Sequence, residues 1–192
     1  PHPTLRRQRQ MCIRDSLACL DGLVRQTHPS FEVVIVDDGS TDDTPQQLAE
    51  AATRHPDVAI TLLRNETNIG ANPSRNRGTQ AARGEYVAFL DDDCIPEPQW
   101  LAEIVKPLVR EEVAAVTGLV KDAPPANIWE LTFKGTHRIA QDGPAHRLIA
   151  GNMAIRRQLL LDHTWDTDRA QVSKTKDGAP DVSVSGRGDE EG

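Results

Sequence analysis

The chain is poor in cysteine, in aromatic residues and in long apolar runs. Among 192 residues it has three cysteines, Cys12, Cys19 and Cys94, and their spacing fits neither a metal site nor a disulfide framework. No run approaches the ~20 apolar residues of a membrane span, and the first residues lack the apolar stretch of a signal peptide. We therefore expect a soluble protein of a reducing compartment, that is, a cytoplasmic protein.

Positive charge is also scarce. The chain has 22 Lys and Arg against 29 Asp and Glu, a net charge of −7. This balance argues against nucleic acid as a partner and against membrane binding driven by net charge. The apolar fraction is 38%, and with glycine it reaches about 45%, within the globular range. The chain can therefore build a core, and its length suits one domain, or one domain and a fragment.

Short apolar runs alternate with helix-forming segments over the first 120 residues. Strands are predicted at Phe31–Val36, Val58–Leu63, Tyr86–Leu90 and Val113–Val120. Helices are predicted over Leu17–Gln26, from a cap at Thr44, over Ser74–Arg83 and around Trp100–Leu108. Strands that alternate with helices through short links indicate right-handed βαβ units. We therefore predict an α/β fold with a mostly parallel sheet and helices on both of its faces.

The two ends of the chain do not follow this pattern. Residues 1–16 are polar and basic, although a sheet of this kind should open with a buried strand, so the first strand is missing. We expect these residues to be a non-native or disordered junction. After about Arg169 the chain has few large apolar residues, which predicts a loop or a disordered tail over 170–192.

Two acidic clusters directly follow predicted strands. Asp91–Asp93 comes after Tyr86–Leu90, and Asp37-Asp38 comes after Phe31–Val36. In sheets of this kind, ligands bind beyond the carboxyl ends of the strands. Adjacent carboxylates repel one another, and a divalent cation such as Mg²⁺ or Mn²⁺ relieves that repulsion. An acidic turn in solvent explains each cluster taken alone, but their shared position at strand ends favours a metal and phosphate site.

Two arginines, Arg75 and Arg77, lie in the helix predicted after the second strand. A guanidinium and the start of a helix both attract anions, so these residues are candidates to contact phosphate. A surface helix with its arginines in solvent is the alternative, and without the acidic clusters it is equally good.

Three segments together resemble the family 2 glycosyltransferases, which are inverting enzymes with the GT-A fold. In chain order they are VDDGSTDDT, NIGANPSRNRG and ARGEYVAFLDDDCIPEPQWL, and their order, spacing and strand context match over about residues 17–120. A weaker match, AGNMAIRR at 150–157, is similar to the acceptor-side strand and turn of the family. The resemblance implies a nucleotide-sugar-binding half over 17–120 and a partial acceptor-side half over 121–169.

The resemblance implies a role for each residue that matches a motif of the nucleotide-binding half. Asp38 is similar to the aspartate that contacts the base, and Arg75 and Asn76 fall in the segment that lines the nucleotide. Asp91 and Asp93 match the DxD motif, with Asp91 nearer the ribose and Asp93 on the metal, Mn²⁺ or Mg²⁺.

The acceptor side is less well marked. Gly151 and Asn152 are implied to lie near the donor sugar or the acceptor. Inverting transfer needs a general base. Asp189 and Glu190 are weak candidates for it, because an acidic tail explains them better, and the base is left unassigned. Cys94 stands where many members of the family carry a further aspartate.

These features predict an enzyme that transfers a sugar, with inversion, from a nucleotide-diphosphate donor to a saccharide, a lipid-linked or another acceptor. A uridine diphosphate donor is the first expectation, and a membrane surface is expected as a partner only of a full-length protein. One alternative is a non-catalytic nucleotide-binding fragment of such an enzyme. Another is a Mg²⁺-binding phosphoacceptor signalling domain, which needs a lysine at a later strand end, whereas Lys106 lies in a predicted helix.

Overall fold

A computed structural model of the chain describes residues 14–118 and 151–167. Strands and helices alternate through the first of these ranges, as predicted. The elements in chain order are α1 (14–23), β1 (Glu32–Asp37), α2 (Thr44–Thr53), β2 (Ala59–Arg64), α3 (Ala71–Ala81), β3 (Tyr86–Leu90), α4 (Trp100–Val105), a 3-10 helix (Lys106–Val109), β4 (Ala115–Thr117), β5 (Asn152–Arg156) and α5 (Arg157–Asp162).

Local chemistry explains where several elements begin and end. Pro45 lies in the first turn of α2, where its missing N–H is not needed. Thr44 is not the cap that the sequence predicted, because it already belongs to the helix and its N–H donates to the carboxylate of Asp42 at 3.1 Å. Pro107 cannot donate to an α-helical bond, so α4 ends at Val105 and the chain continues as a 3-10 turn.

The strands form two separate sheets in the part of the chain that the structure describes. In the first sheet β1 pairs with β2 in parallel, from Glu32↔Ala59 to Asp37↔Arg64. In the second sheet β5 lies between β3 and β4 and is antiparallel to both. The α/β architecture is thus as predicted, but parallel pairing is confined to β1 and β2. Because β5 inserts between β3 and β4, these two strands run in the same direction without touching.

Each sheet has its own apolar contacts. Leu20 of α1 and Val33 of β1 pack with Leu48 and Ala51 of α2. In the second sheet the alternating residues of β5 face two different cores. Ala154 meets α4 and the 3-10 helix, whereas its neighbours Met153 and Ile155 meet α5.

The predicted boundaries at the chain ends are tested only where the structure describes them. Residues 14–16 are helical, so α1 begins before the predicted Leu17 and includes the end of the predicted junction 1–16. The rest of that junction and the predicted tail 170–192 lie outside the described residues. Within the described ranges, no helix has the length and apolar character to cross a membrane.

Candidate functional site

The carboxyl ends of β1 and β3 open onto one cavity of about 1370 Å³. Its lining at this end includes Asp38, Gly70, Arg75 and Asp91. The structure therefore brings together the two acidic clusters and one of the two arginines that the sequence singled out. Helix α3 connects them, since Gly70 precedes its first turn and Arg75 lies one turn further on.

Asp91 is the carboxylate of its cluster that pairs with an arginine. Its Oδ1 lies 3.5 Å from Nη2 of Arg75. Burial raises the pKa of Asp91 above its usual value, Arg75 acts in the opposite direction, and the charges of Asp93 and Asp92 raise it further. Its charged form is therefore disfavoured, and a cation placed at this carboxylate would be stabilising.

The other carboxylates of the cluster point to different neighbours. Asp92 accepts a hydrogen bond from the Ser16 hydroxyl at 3.0 Å, and Asp93 Oδ1 lies 3.6 Å from the thiol sulfur of Cys94. Burial and the charges of the nearby aspartates raise the pKa of Cys94 to about 11, so this thiol is neutral at physiological pH. It therefore adds no negative charge to the cluster.

The described residues fit a metal site that substrate phosphates help to complete, rather than one built from protein ligands alone. Across residues 14–118 and 151–167, no three acidic, histidine or cysteine side chains are arranged to hold a metal ion. Mg²⁺ commonly takes only one or two carboxylates and completes its shell with water and substrate phosphates. Asp91 lines the cavity and carries oxygen ligands of that kind, whereas Asp93 is not among the lining residues. Burial is the main cause of the raised pKa of Asp91 and the charges of Asp93 and Asp92 add to it, so a cation at this carboxylate would be stabilising.

Asp38 holds the loop that leads into α3. Its Oδ1 accepts hydrogen bonds from Nδ2 of Asn65 at 2.8 Å and from the N–H of Ile69 at 2.9 Å. Its Oδ2 accepts from the N–H of Gly70 at 2.8 Å. Burial acts to raise the pKa of Asp38, but these bonds outweigh it and lower the pKa below the usual value. Whether Asp38 also contacts a base stays a prediction.

A tight turn supports this loop. Gly39 has a φ of +76°, and a Cβ on it would lie 2.5 Å from the backbone of Thr67 and Asn68. Only glycine can adopt this conformation at so close an approach. The turn at Gly39 therefore packs directly against the loop that Asp38 binds.

Asn76 does not line the cavity. Its amide pairs with the backbone of Trp165, donating to the carbonyl oxygen at 2.9 Å and accepting from the N–H at 2.8 Å. The Trp165 ring in turn lies 5.8 Å from the guanidinium carbon of Arg75 and meets Phe89 of β3 edge to face. Asn76 thus positions the aromatic ring beside which Arg75 lies.

The two acceptor-side residues have different surroundings. Gly151 packs against Asp91 so closely that a Cβ would lie 2.1 Å from Oδ2, and its carbonyl accepts from the Asp91 N–H at 3.1 Å. Asn152 is 4% exposed, and its Oδ1 accepts from the indole N–H of Trp100 at 2.8 Å. Gly151 is therefore adjacent to the acidic cluster, whereas Asn152 joins β5 to α4.

Two further predictions are corrected or fall outside the described residues. Arg77 does not line the cavity with Arg75, because its guanidinium donates to the carbonyl of Arg64 and to the side chain of Asn65. Asp189 and Glu190, the weak candidates for a base, lie outside the described residues. The signalling-domain alternative needs a lysine at a strand end, but Lys106 lies at the start of the 3-10 helix, with its Nζ 3.8 Å from the carboxylate of Glu103.

Sequence reasoning missed Asn65, which links the acidic loop to α3. It is 4% exposed, and its amide also donates to the Ser74 hydroxyl at 2.9 Å. A signal for it was present, since Asn65 directly follows β2 and so stands at the same strand edge as Asp38. Sequence reasoning gave Trp165 no role either, because its contact with Arg75 could not be read from a separation of ninety positions.

Comparison with known proteins gives a consistent result. The family model of Glycosyl transferase family 2 matches residues 16–164. The uncharacterized glycosyltransferase YibD of Escherichia coli (strain K12) is 39% identical over 79 residues, which cover 41% of this chain and 22% of that protein. The glycosyltransferase AglE of Haloferax volcanii is 35% identical over 105 residues, which cover 54% of this chain and 34% of that protein.

A solved structure resembles the fold over most of the chain. The mannosyltransferase PcManGT from Pyrobaculum calidifontis, in complex with GDP-Man and Mn²⁺, aligns with a TM-score of 0.62 and 28% identity. The alignment covers 78% of this chain and 43% of that one. The chain thus spans about a fifth to a third of these curated relatives and less than half of the solved neighbour.

Proposed function

Because the chain belongs to glycosyl transferase family 2, we propose that it transfers a sugar from a nucleotide-diphosphate donor to an acceptor hydroxyl, with inversion. Its α/β architecture is the GT-A fold expected from the sequence. The observation that carries the proposal is the meeting of Arg75 and Asp91 in one cavity with the Asp38 loop. Arg75 supplies a positive charge, and Asp38 and Asp91 supply acidic groups at two different strand ends. This arrangement suits a ligand with a diphosphate and a polar base.

The diphosphate would bind between Arg75 and the start of α3. Arg75 lies half-buried beside Trp165, so its orientation is restricted before any ligand binds. The first turn of α3 has no acidic side chain to oppose an anion. Both the guanidinium and the helix dipole therefore favour phosphate at this end of the cavity.

Mn²⁺ or Mg²⁺ is the proposed cofactor, held by Asp91 and Asp93 together with the donor. When bound, it would supply positive charge that stabilises the departing nucleoside diphosphate. The neighbour PcManGT was solved with GDP-Man and Mn²⁺, which supports the same kind of pairing here. Gly151 would keep the Asp91 carboxylate in place through backbone and van der Waals contact.

A uridine donor remains our proposal, with Asp38 as the group that contacts the base. Two of the three hydrogen bonds to Asp38 come from backbone N–H groups, so the carboxylate has a fixed orientation and keeps lone pairs for a ligand. PcManGT holds a guanosine donor, and GDP is therefore the nucleotide to compare directly with UDP.

Calorimetric titration of UDP and GDP, with Mn²⁺ or with EDTA, tests the proposal. We expect the parent chain to bind UDP only with Mn²⁺ and the Asp93→Ala variant to lose this binding while its circular dichroism is unchanged. Asp92→Ala is the matched control, since it removes the neighbouring charge at a cavity-lining residue to which no metal contact is assigned. Equal affinity of the parent and the Asp93→Ala variant would overturn the metal assignment.

The second candidate is a nucleotide-binding fragment without transferase activity. It is favoured by the short share of each relative that the chain spans. A donor screen that follows release of nucleoside diphosphate separates the two candidates. Release that depends on Mn²⁺ supports the enzyme, whereas Mn²⁺-dependent nucleotide binding without release from any donor supports the fragment.

A further inference from the structure

Gln26 is a buried residue whose side-chain amide joins the end of α1 to the start of α4. It follows the last turn of α1 and is 8% exposed. Its Nε2 donates to the carbonyl oxygen of Gly22 at 3.0 Å and to that of Glu97 at 2.8 Å. Its Oε1 accepts from the N–H of Leu101 at 2.8 Å. The amide therefore donates twice and accepts once, and all three partners are backbone groups.

Two of these partners lie at helix ends, where backbone groups have no partner within the helix. Gly22 belongs to the last turn of α1, and Leu101 to the first turn of α4. A polar group that is buried without a partner costs free energy, so the amide of Gln26 stabilises both ends at once. An aliphatic or acidic side chain cannot replace it, because these contacts need two donors and one acceptor.

The residue after Gln26 holds the same stretch of chain. Thr27 donates to the carbonyl oxygen of Pro98 through its N–H at 2.8 Å and through its hydroxyl at 3.1 Å. Pro96 is buried, and its Cδ would lie 2.7 Å from a Cβ placed on Gly22. Proline has no N–H, so neither Pro96 nor Pro98 can donate a backbone hydrogen bond. Donors from Gln26 and Thr27 therefore hold this stretch against the end of α1.

The same stretch belongs to the segment 91–99, which begins with the acidic cluster. At the first residue of the segment, the N–H of Asp91 donates to the carbonyl oxygen of Gly151 at 3.1 Å. Near its far end, the carbonyl oxygen of Glu97 is held by Gln26. Asp93 lies between these two anchors, so its position depends on the far anchor, whereas the backbone of Asp91 is bonded directly to the first.

We propose that Gln26 is a positioning residue for the metal site, because it fixes the far end of the segment that carries Asp93. With that end in place, the Asp93 carboxylate can share a divalent cation with Asp91 and the donor phosphates. Gln26 does not line the cavity, so it acts through the backbone and not by contact with the cation or the donor. This role rests on the proposed function. Arg75 and the Asp38 loop lie on other elements, so loss of the Gln26 amide should disturb the segment and leave them in place.

Hydrogen exchange of the metal-free full chain gives the first test. The Gln26→Glu side chain has the same shape and still accepts from Leu101, but its carboxylate cannot donate to either carbonyl oxygen. We expect the N–H of Cys94, in the middle of the segment, to exchange roughly tenfold faster, and the N–H of Asp91 to exchange as in the parent. Gln99→Glu is the matched control, since it makes the same change of charge at an exposed side chain of the same segment. Equal acceleration at Cys94 and Asp91 would overturn the proposal, because a general loss of stability would then explain both.

Calorimetric titration of UDP with Mn²⁺ gives the second test. We expect Gln26→Glu to bind roughly tenfold more weakly than the parent, as the loss of an outer contact at a metal site commonly does. Gln99→Glu should bind like the parent. Equal affinity of the parent and Gln26→Glu would overturn the role of Gln26 alone. A parent chain that binds no UDP in the presence of Mn²⁺ would overturn the proposed function, and this role with it.

Thr27→Val keeps both tests decisive if Gln26→Glu does not fold. It has the same shape as the parent residue and removes only the exposed hydroxyl that donates to Pro98, while the N–H bond to the same oxygen remains. We expect changes in the same direction as for Gln26→Glu but smaller, about threefold in exchange at Cys94 and in UDP affinity. Values equal to those of the parent in both measurements would contradict the proposal.

Discussion

Arg75 and Asp91, which both line the cavity, form an ion pair with 3.5 Å between Nη2 and Oδ1, although they are sixteen positions apart in the chain. Trp165 stands beside the same guanidinium, and Gly151 packs beneath the same carboxylate. The arginine of the pair therefore has an aromatic neighbour, and the aspartate has a backbone neighbour. A ligand that recruits Arg75 or Asp91 must replace one charge contact with another.

Asp91→Asn should raise the melting temperature of the metal-free protein at pH 7. Burial raises the pKa of Asp91, so the charged carboxylate costs stability once the pH exceeds its folded pKa, and Arg75 offsets only part of that cost. The gain should vanish at acid pH, where the folded parent is protonated. Thermal unfolding against pH measures this, with Asp92→Asn as the control. A variant that is less stable at pH 7 would show that the ion pair outweighs the burial cost.

Gly151→Ala should displace the Asp91 carboxylate. The new Cβ would lie 2.1 Å from Oδ2, so the side chain must move, and overpacking of this kind costs about 1–3 kcal/mol. We expect lower stability together with loss of Mn²⁺-dependent UDP binding. Gly84→Ala is the control, because its Cβ would lie 3.3 Å from the nearest atom and far from Asp91. Unchanged UDP affinity in Gly151→Ala would contradict the role given to Gly151.

Asp38→Ala should destabilise the chain by about 1–3 kcal/mol, because Asn65, Ile69 and Gly70 lose their acceptor. The pKa of Asp38 is lowered, so its contribution is present above the unfolded pKa and is lost as the pH falls through the folded pKa. Urea unfolding at pH 7 and at low pH should therefore show a shrinking difference from the parent. Asp57→Ala, at an exposed turn, is the control and should change little.

If Asp38 also contacts a base, the same variant should weaken uridine nucleotides by a further ~1–3 kcal/mol. Asn65→Ala separates the two effects, because it perturbs the same loop while leaving the carboxylate in place. If UDP affinity falls equally in both variants, Asp38 affects UDP binding only by holding the loop and does not contact the base.

Trp165→Phe should be nearly neutral for stability, whereas Trp165→Ala should be clearly destabilising. The buried indole N–H has no hydrogen-bond partner among the described residues, so its loss removes a desolvated donor. Phenylalanine retains the edge-to-face contact with Phe89. Chemical unfolding of both variants measures the difference. A large loss of stability in Trp165→Phe would indicate a partner for the N–H that these contacts do not include.

The local parts of the fold could be predicted because their signals are local. Strand β3 begins and ends where predicted, since its apolar run is bounded by Glu85 and Asp91. Helix α3 begins three residues earlier than predicted, at Ala71. Pro73 lies in the first turn of this helix, where a proline loses no hydrogen bond, so the helix can begin ahead of it.

The remaining differences come from geometry that a linear reading does not contain. Arg75 and Arg77 looked equivalent, but residues two positions apart on a helix point to different sides. Only Arg75 reaches the cavity, and Arg77 is bound to the β2 edge. The position of β5 between β3 and β4 depends on pairing between distant segments, for which the sequence gives a pattern but no partner.

The place of β5 also sets an order of events during synthesis. The β1–β2 pair can close as soon as residue 64 has emerged, because its crossover is short. The second sheet cannot, since Tyr86 pairs with Arg156 and, among the described strands, β3 and β4 pair only with β5. Loop closure over such a distance is entropically slow. A ribosome-bound chain that ends before residue 156 should therefore have a paired β1–β2 sheet and an unpaired β3. We expect chaperones to bind the chain in this state.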